Sequence, residues 1–203
     1  MNRIKKWTRN FMLVIAIAAV GMIGLMIFLW SRGEAPQIDP YAHVKKYEPA
    51  LHSELTRYGL EQQTDVLLAL MYQESQGKGG DPMQASESAG LSPNTITDPK
   101  QSIRQGVRHF HNVYIYGKKK HVDMATIIQA YNMGPGYIDF VAAHGQKHSE
   151  ELARQYSAIQ VKKAPNVYKC GDDQGNFRYP YCYGDFSYTT KILQVEPKIK
   201  GEL

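Results

Sequence analysis

The sequence predicts an all-α domain carried behind a single N-terminal transmembrane helix. Three observations predict it: an uncharged apolar run near the start, apolar positions recurring at helical spacing through most of the remaining chain, and no segment with convincing strand alternation.

The run from Phe11 to Trp30, FMLVIAIAAVGMIGLMIFLW, holds 20 residues without a charge. At 1.5 Å per residue it just spans a hydrocarbon core of about 30 Å. Arg3, Lys5, Lys6 and Arg9 precede it with no acidic residue among them. Positive charge stays on the cytoplasmic side, so the expected topology is a single pass through the cell membrane with the N-terminus inside. Residues 1–10 then form a basic cytoplasmic tail, 11–30 the anchor, 31–40 (SRGEAPQIDP) a stalk, and 41–203 an extracytoplasmic domain. A cleaved signal peptide shares the basic start, but its apolar core runs only about 7–15 residues and ends in an A-x-A-like site. Here the core is longer and runs into Trp30-Ser31-Arg32-Gly33, so a retained anchor is expected over cleavage.

The net charge of +5 carries little functional weight. Outside the four basic residues of the tail, 20 Lys and Arg stand against 19 Asp and Glu. A nucleic-acid footprint would need a basic excess in the domain itself, and none is expected as partner. Lys118-Lys119-Lys120-His121 reads most simply as a solvated turn, with contact to anionic wall polymers as the sharper reading. Cys170 and Cys182 both fall on the outer side, where a bridge can persist; a disulfide closing the short loop and two free thiols both stay open. Their C-x₁₁-C spacing lacks a nearby histidine and argues against zinc. The seven histidines are scattered, with His109 and His111 on different faces of one helix, so neither a metal nor an organic cofactor is expected.

Along the domain, Val44, Tyr47, Leu51, Leu55 and Tyr58 share one helical face, Pro49 starting or kinking it and Gly59 closing it. The next helix starts behind Thr64 or Asp65 as N-cap and reads VLLALMYQES to Gly77, apolar nearly all round for two turns, which marks a central buried helix. Gly77–Thr97 is a long Gly-, Ser- and Pro-rich loop, and loops beyond about 12–15 residues in a compact domain are usually functional or disordered. A third helix is expected from Asp98 (N-cap), Pro99 and Gln101 through Ile103, Val107, Phe110 and Tyr114 to Gly117. Asp123 caps a fourth, MATIIQAYN, stopped by Gly134-Pro135. Tyr137–Ala143 gives a fifth, and Ser149 opens a sixth through Leu152, Tyr156 and Ile159. The tail from Asn166 to Tyr188 is aromatic-rich and irregular.

Glu74 stands out chemically. It follows Leu67, Leu70 and Met71 at seven, four and three residues, so its carboxyl continues the apolar stripe. Desolvation there disfavours the charged form and raises the pKa, which suits a general acid near neutral pH. Against this stands the ordinary fate of a helix-end glutamate, which turns to water.

Three ordered motifs weigh on the other side. Glu74-Ser75-x-Gly77, Met83-Gln84 and Ala130-Tyr131-Asn132-x-Gly134 together resemble the motif series of soluble lytic transglycosylases and goose-type lysozymes. Asp98-Pro99-x₂-Ser102-Ile103-x₂-Gly106 is similar to the same family's helix start, and Tyr188-x₂-Lys191-Ile192-Leu193 to its closing tyrosine motif. The segments 81–88 and 182–185 resemble the lysozyme-like branch of conjugative-element cell-wall hydrolases and pneumococcal vaccine antigen A. The resemblance covers residues 45–193.

It implies a lysozyme-like helical fold and cleavage of peptidoglycan glycan strands at the β-1,4 bond between N-acetylmuramic acid and N-acetylglucosamine. Glu74 would be the catalytic acid; Gln84, Tyr131 and Asn132, with Ser75, would line the glycan site, and Tyr188 would hold the acid. Each has a structural reading too: Tyr131 as core, Asn132 as a helix C-cap, Gln84 as a loop stabiliser. Where the family has Gly-Leu before Met-Gln, this chain has Asp81-Pro82, so the loop beside the sugar is expected to differ.

A second carboxylate decides the chemistry. A hydrolase uses one as nucleophile or base, whereas a lytic transglycosylase lets the sugar's own hydroxyl attack and forms anhydromuramic ends. Asp81 and Glu87 are the candidates, Glu87 the better for its place just after Gln84; Asp98 is accounted for by capping. A muramidase is thus the leading expectation, a transglycosylase the second, and an inactive peptidoglycan-binding module the third.

Overall fold

The computed structural model describes Met12, residues 18–28 and residues 39–201, and the chain divides into two compact units at Asp39–Pro40. Residues 18–28 are helical. The basic tail 1–10, the rest of the expected 11–30 anchor and most of the stalk lie outside the described residues. No described helix is long and apolar enough to cross a membrane.

From Pro40 onward the unit is all-α, with no strand among the described residues. Its helices are α1 (Ala42–Lys45), α2 (Glu48–Thr56), α3 (Thr64–Ser75), α4 (Pro99–Lys119), α5 (Met124–Met133), α6 (Pro135–Ala142), α7 (Glu150–Lys163) and α8 (Tyr188–Lys200). Short 3₁₀ turns stand at Glu61–Gln63, Glu87–Ala89 and Cys170–Asp172.

The expected first helix is two. Pro49 lies in the first turn of α2, where its missing N–H has no intrahelical partner to lose, and α1 is a separate turn before it. Val44, Leu51 and Leu55 are fully buried as the spacing predicts, with Tyr47 and Tyr58 packed at the core's edge.

Neither Thr64 nor Asp65 caps α3. A 3₁₀ turn runs straight into the helix, so Thr64 already lies inside it and its hydroxyl donates to the Glu61 carbonyl at 2.6 Å. Thr64 and every residue from Val66 to Met71 are buried, which makes α3 the central helix. It packs most extensively on α8, then on α2 and α1.

Asp98 caps α4 by accepting from Lys100 N at 3.1 Å, one residue short of the expected Gln101. α4 also passes through Gly117 to Lys119. That glycine serves packing instead of termination: a Cβ there would sit 2.5 Å from Ile127 Cγ1 on α5. Asp123 and Ser149 cap α5 and α7 through Thr126 N and Leu152 N at 2.9 and 3.1 Å. Ile159 departs from the expected buried stripe of α7 and is 41% exposed.

α8 is a helix that the sequence pattern does not predict. Its buried Tyr188, Ile192 and Ile199, with half-buried Val195, follow helical spacing. Pro197 hides the pattern, yet it falls in the last turn and removes only the hydrogen bond to the carbonyl of Leu193, an exposed residue.

Candidate active site

Glu74 sits in the last turn of α3, and Gln76 closes the helix in the left-handed conformation at φ 57°. The face beneath the carboxyl is Leu67, Leu70 and Met71, all fully buried. Behind it stands Tyr188 at the start of α8, itself 1% exposed, whose hydroxyl donates to Glu74 Oε1 at 2.5 Å. Glu74 Oε2 has no hydrogen bond to another described residue and is left for the groove that Glu74 lines.

Burial dominates the electrostatics of Glu74 and pushes its pKa up from 4.5 to about 7. The Tyr188 hydrogen bond favours the carboxylate and offsets part of that rise, while the negative charges of Asp81, Asp185 and Glu87 add to it. The group is therefore protonated through the weakly acidic range and still able to release its proton near neutrality.

The loop after α3 is fastened by Asp81, which is buried. Its Oδ1 accepts from Ala85 N at 2.9 Å and Ser102 Oγ at 2.6 Å; its Oδ2 accepts from Ser86 N at 3.0 Å and Ser86 Oγ at 2.5 Å. The two hydroxyls in turn accept from Met83 N and Ile96 N, both at 3.0 Å. Asp81 thus has no free oxygen to act as a second catalytic carboxylate. Ser75 belongs to the same bracing: its hydroxyl donates to the Pro82 carbonyl at 2.7 Å and accepts from Gly77 N at 3.1 Å.

What the loop presents is a groove of about 490 Å³ that brings together Glu74, Gln84, Glu87, Tyr131 and Asn132, five of the residues singled out from the sequence. Gln84 holds a positive φ of 46° in the turn closed by its own N–H on the Asp81 carbonyl at 3.0 Å. Its amide nitrogen donates to Asp81 O and Asn94 Oδ1, which leaves the carbonyl oxygen for the groove. Tyr131 is buried and donates to the Met83 carbonyl at 3.0 Å, tying α5 to the loop.

Asn132 is exposed, and its Oδ1 accepts from Asp185 N at 2.7 Å. The approach is so close that a Cβ on Gly184, at φ 64°, would lie 2.7 Å from that oxygen, so only glycine fits. The Asn132 amide N–H groups remain for a ligand. Glu87 is exposed in its 3₁₀ turn, and its carboxylate makes no hydrogen bond or ion pair with another described residue.

Tyr188 and Ser75 do not line this groove; they stand behind it. Ser88, His109 and Tyr183 line the groove as well, and none of them is among the site residues expected from the sequence. Tyr183 and Asp185 lie in the 182–185 segment of the resemblance, which was the signal available for them. His109 packs edge-on against Tyr131 with ring centroids 4.7 Å apart and meets the Tyr131 carbonyl at 3.0 Å; burial lowers its pKa, against the opposing effect of that hydrogen bond. Among the described residues no cluster of His, Cys, Asp and Glu could hold a metal ion.

Cys170 and Cys182 are joined, with Cα atoms 5.0 Å apart, and the bridge braces the segment that carries Tyr183. Closing a loop of 12 residues removes unfolded-state entropy worth about 3 kcal/mol. The double Cys→Ser variant is expected to lose that much in a denaturant titration, with the m-value raised because the uncrosslinked denatured chain exposes more surface.

Residues 41–196 match the family described as Lysozyme-like. The membrane protein YocA of Bacillus subtilis (strain 168) is 55% identical over 157 residues, covering 77% of this chain and 70% of that protein. Pneumococcal vaccine antigen A of Streptococcus pneumoniae is 40% identical, covering 68% of each. The bifunctional muramidase/DL-endopeptidase CwlT of B. subtilis is 34% identical over 80% of this chain, but this chain spans only 44% of it. A crystal structure of a lipoprotein-like NLP/P60-family protein from Staphylococcus aureus aligns with a TM-score of 0.64 and 32% identity, covering 75% of this chain and 52% of that one. The match across nearly all of the helical unit leaves one conclusion, that this chain belongs to the lysozyme-like family.

Proposed function

We propose that this protein is a muramidase, hydrolysing the β-1,4 bond between N-acetylmuramic acid and N-acetylglucosamine in peptidoglycan glycan strands. The observation that carries the reading is a carboxyl set against buried Leu67, Leu70 and Met71, which pushes its pKa up to about 7, lining a groove that also holds a second, exposed carboxylate, Glu87. The muramidase named among the relatives supports the same substrate.

Glu74 gives its proton to the glycosidic oxygen as the bond from the sugar's anomeric carbon breaks. Glu87 meets the positive charge that builds on the ring, as nucleophile or as the base that activates water. Gln84 and Asn132 hold the N-acetyl group through the carbonyl oxygen and amide N–H groups that their structural bonds leave over. The domain would work outside the cell membrane, held by the uncharged 11–30 run; the relative YocA is named a membrane protein.

One observation favours a lytic transglycosylase instead: no described residue orients the Glu87 carboxylate. Purified peptidoglycan digested with residues 31–203 decides it, because mass spectrometry separates reducing muramic acid ends from anhydro ends lighter by one water. Hydrolysed ends are expected, with Glu87→Gln lowering kcat about 100-fold. Anhydro ends and an active Glu87→Gln variant would make it a transglycosylase. Wild type that releases nothing, yet sediments with the wall as firmly as Glu74→Gln, would leave only a glycan-binding module.

A further inference from the structure

We infer that an arginine-lined cleft beside the glycan groove is a second binding site, which takes the carboxylates of the stem peptide borne by the bound strand. The inference rests on the peptidoglycan reading above and adds the peptide to the substrate.

The cleft encloses about 480 Å³ between α2, α4 and the loop after α3. Gln101, Arg104, Gln105 and Arg108 enter it from α4 at the spacing of one helical stripe, and Arg57 enters from the end of α2. Three guanidinium groups thus share one cavity with a single carboxylate, Glu54. Glu54 is already engaged, its two oxygens accepting from Arg57 Nη1 at 3.2 and 3.1 Å. Arg108 is met by the neutral side-chain oxygen of Gln105, and Arg104 has no hydrogen bond or ion pair with another described residue. Arg104 and Arg108 are one turn apart and repel, so the cleft keeps two positive charges that the protein does not neutralise. A guanidinium fork fits a carboxylate through two parallel N–H bonds.

The position identifies the ligand. Ser88 lines the glycan groove, its neighbour Ala89 lines the cleft, and Gln105 in the cleft donates to Ser88 Oγ at 3.0 Å. The turn Glu87–Ala89 therefore borders both, as does α4, where Arg108 lines the cleft and His109 the groove. A peptide of three extended residues reaches about 10 Å, the length that a muramic acid held in the groove has available to cross that turn. The signs are complementary as well. The groove, with the exposed carboxylate of Glu87, repels a peptide carboxylate that the cleft attracts.

The test compares peptidoglycan strands bearing stem peptides with strands stripped of them by an amidase, using wild type and the double variant Arg104→Ala, Arg108→Gln. Both arginines are exposed on α4 and outside the catalytic groove. The variant is expected to raise KM about tenfold on stem-bearing strands and to leave kcat/KM on stripped strands unchanged. Wild-type KM on both substrates, or an equal loss on both, overturns the inference while leaving the glycan-cleaving reading intact. If wild type cleaves neither substrate, that reading fails by itself, and titration with a soluble disaccharide-tripeptide decides the cleft. Wild-type binding about tenfold tighter than the variant's upholds it; equal binding, or none, overturns it.

Discussion

Glu74→Gln is expected to lower kcat on peptidoglycan by about three orders of magnitude and, at pH 8, to make the protein more stable than wild type. Both effects come from one arrangement. The carboxyl lies against Leu67, Leu70 and Met71 and must ionise there above neutrality. Glutamine keeps the shape and still accepts from Tyr188, but it neither gives a proton nor becomes charged.

The sign is set by proton binding. Below pH 4.5 the glutamate is protonated whether the chain is folded or not, and wild type and variant differ little. Between 4.5 and about 7 the unfolded chain releases the proton while the fold retains it, so wild-type stability falls as pH rises. At pH 8 the deficit is complete, about 3 kcal/mol at most, and hydration on the groove side reduces what a melt reads. Under the proposed mechanism the same ionisation removes the general acid, so wild-type activity is expected to fall through pH 7 along its alkaline limb. Thermal melts of both proteins at pH 4 and pH 8 check the first claim and a pH–rate profile the second. A variant less stable than wild type at pH 8 would show that Glu74 is a structural partner of Tyr188 instead of a strained acid.

Glu74 was legible because a helix period carries the needed information: three residues within two turns state that the carboxyl continues an apolar stripe. Its partner was not. Tyr188 lies 114 residues away, and no period or spacing links them; only the resemblance placed that tyrosine near the acid. α8 was missed for a local reason, since Thr189, Thr190 and Pro197 are poor helix residues and outweigh a regular buried stripe unless packing on α3 is known. Gly117 shows the reverse error. Read as a stop signal, it is a contact with Ile127, and a glycine's reason cannot be told from its neighbours in sequence.

At Asp81 the chain departs from the family's motifs, and a carboxylate in the loop over the site invites a catalytic reading. Asp81→Ala is expected to lower stability by about 4 kcal/mol and to abolish activity by dispersing the loop, with the Glu74 groove going with it. Four buried donors lose their acceptor in that variant: two backbone N–H groups and the hydroxyls of Ser86 and Ser102. Those hydroxyls then lose the orientation with which they hold Met83 and Ile96, so the segment that presents Gln84, Glu87 and Ser88 comes away from α4.

Asp81 also answers to pH in the direction opposite to Glu74. Burial by itself would raise its pKa, but the Ser102 and Ser86 hydroxyls and the Ala85 and Ser86 N–H groups together hold it below the ordinary 3.8. Its contribution is therefore fully present above pH 3.8 and is lost as pH falls through the folded value. Wild type should lose stability below pH 3.8 by this route, and Asp81→Asn should be destabilised at pH 7 yet flatter in acid. Two carboxyls of one site are thus pulled apart, Asp81 kept ionised by donors that fill both its oxygens and Glu74 kept neutral by apolar neighbours that leave one oxygen to the groove. Urea titrations of the Asp81 variants from pH 2.5 to pH 7 measure that separation; an Asp81→Ala protein of wild-type stability would mean that the loop is held by something other than this carboxylate.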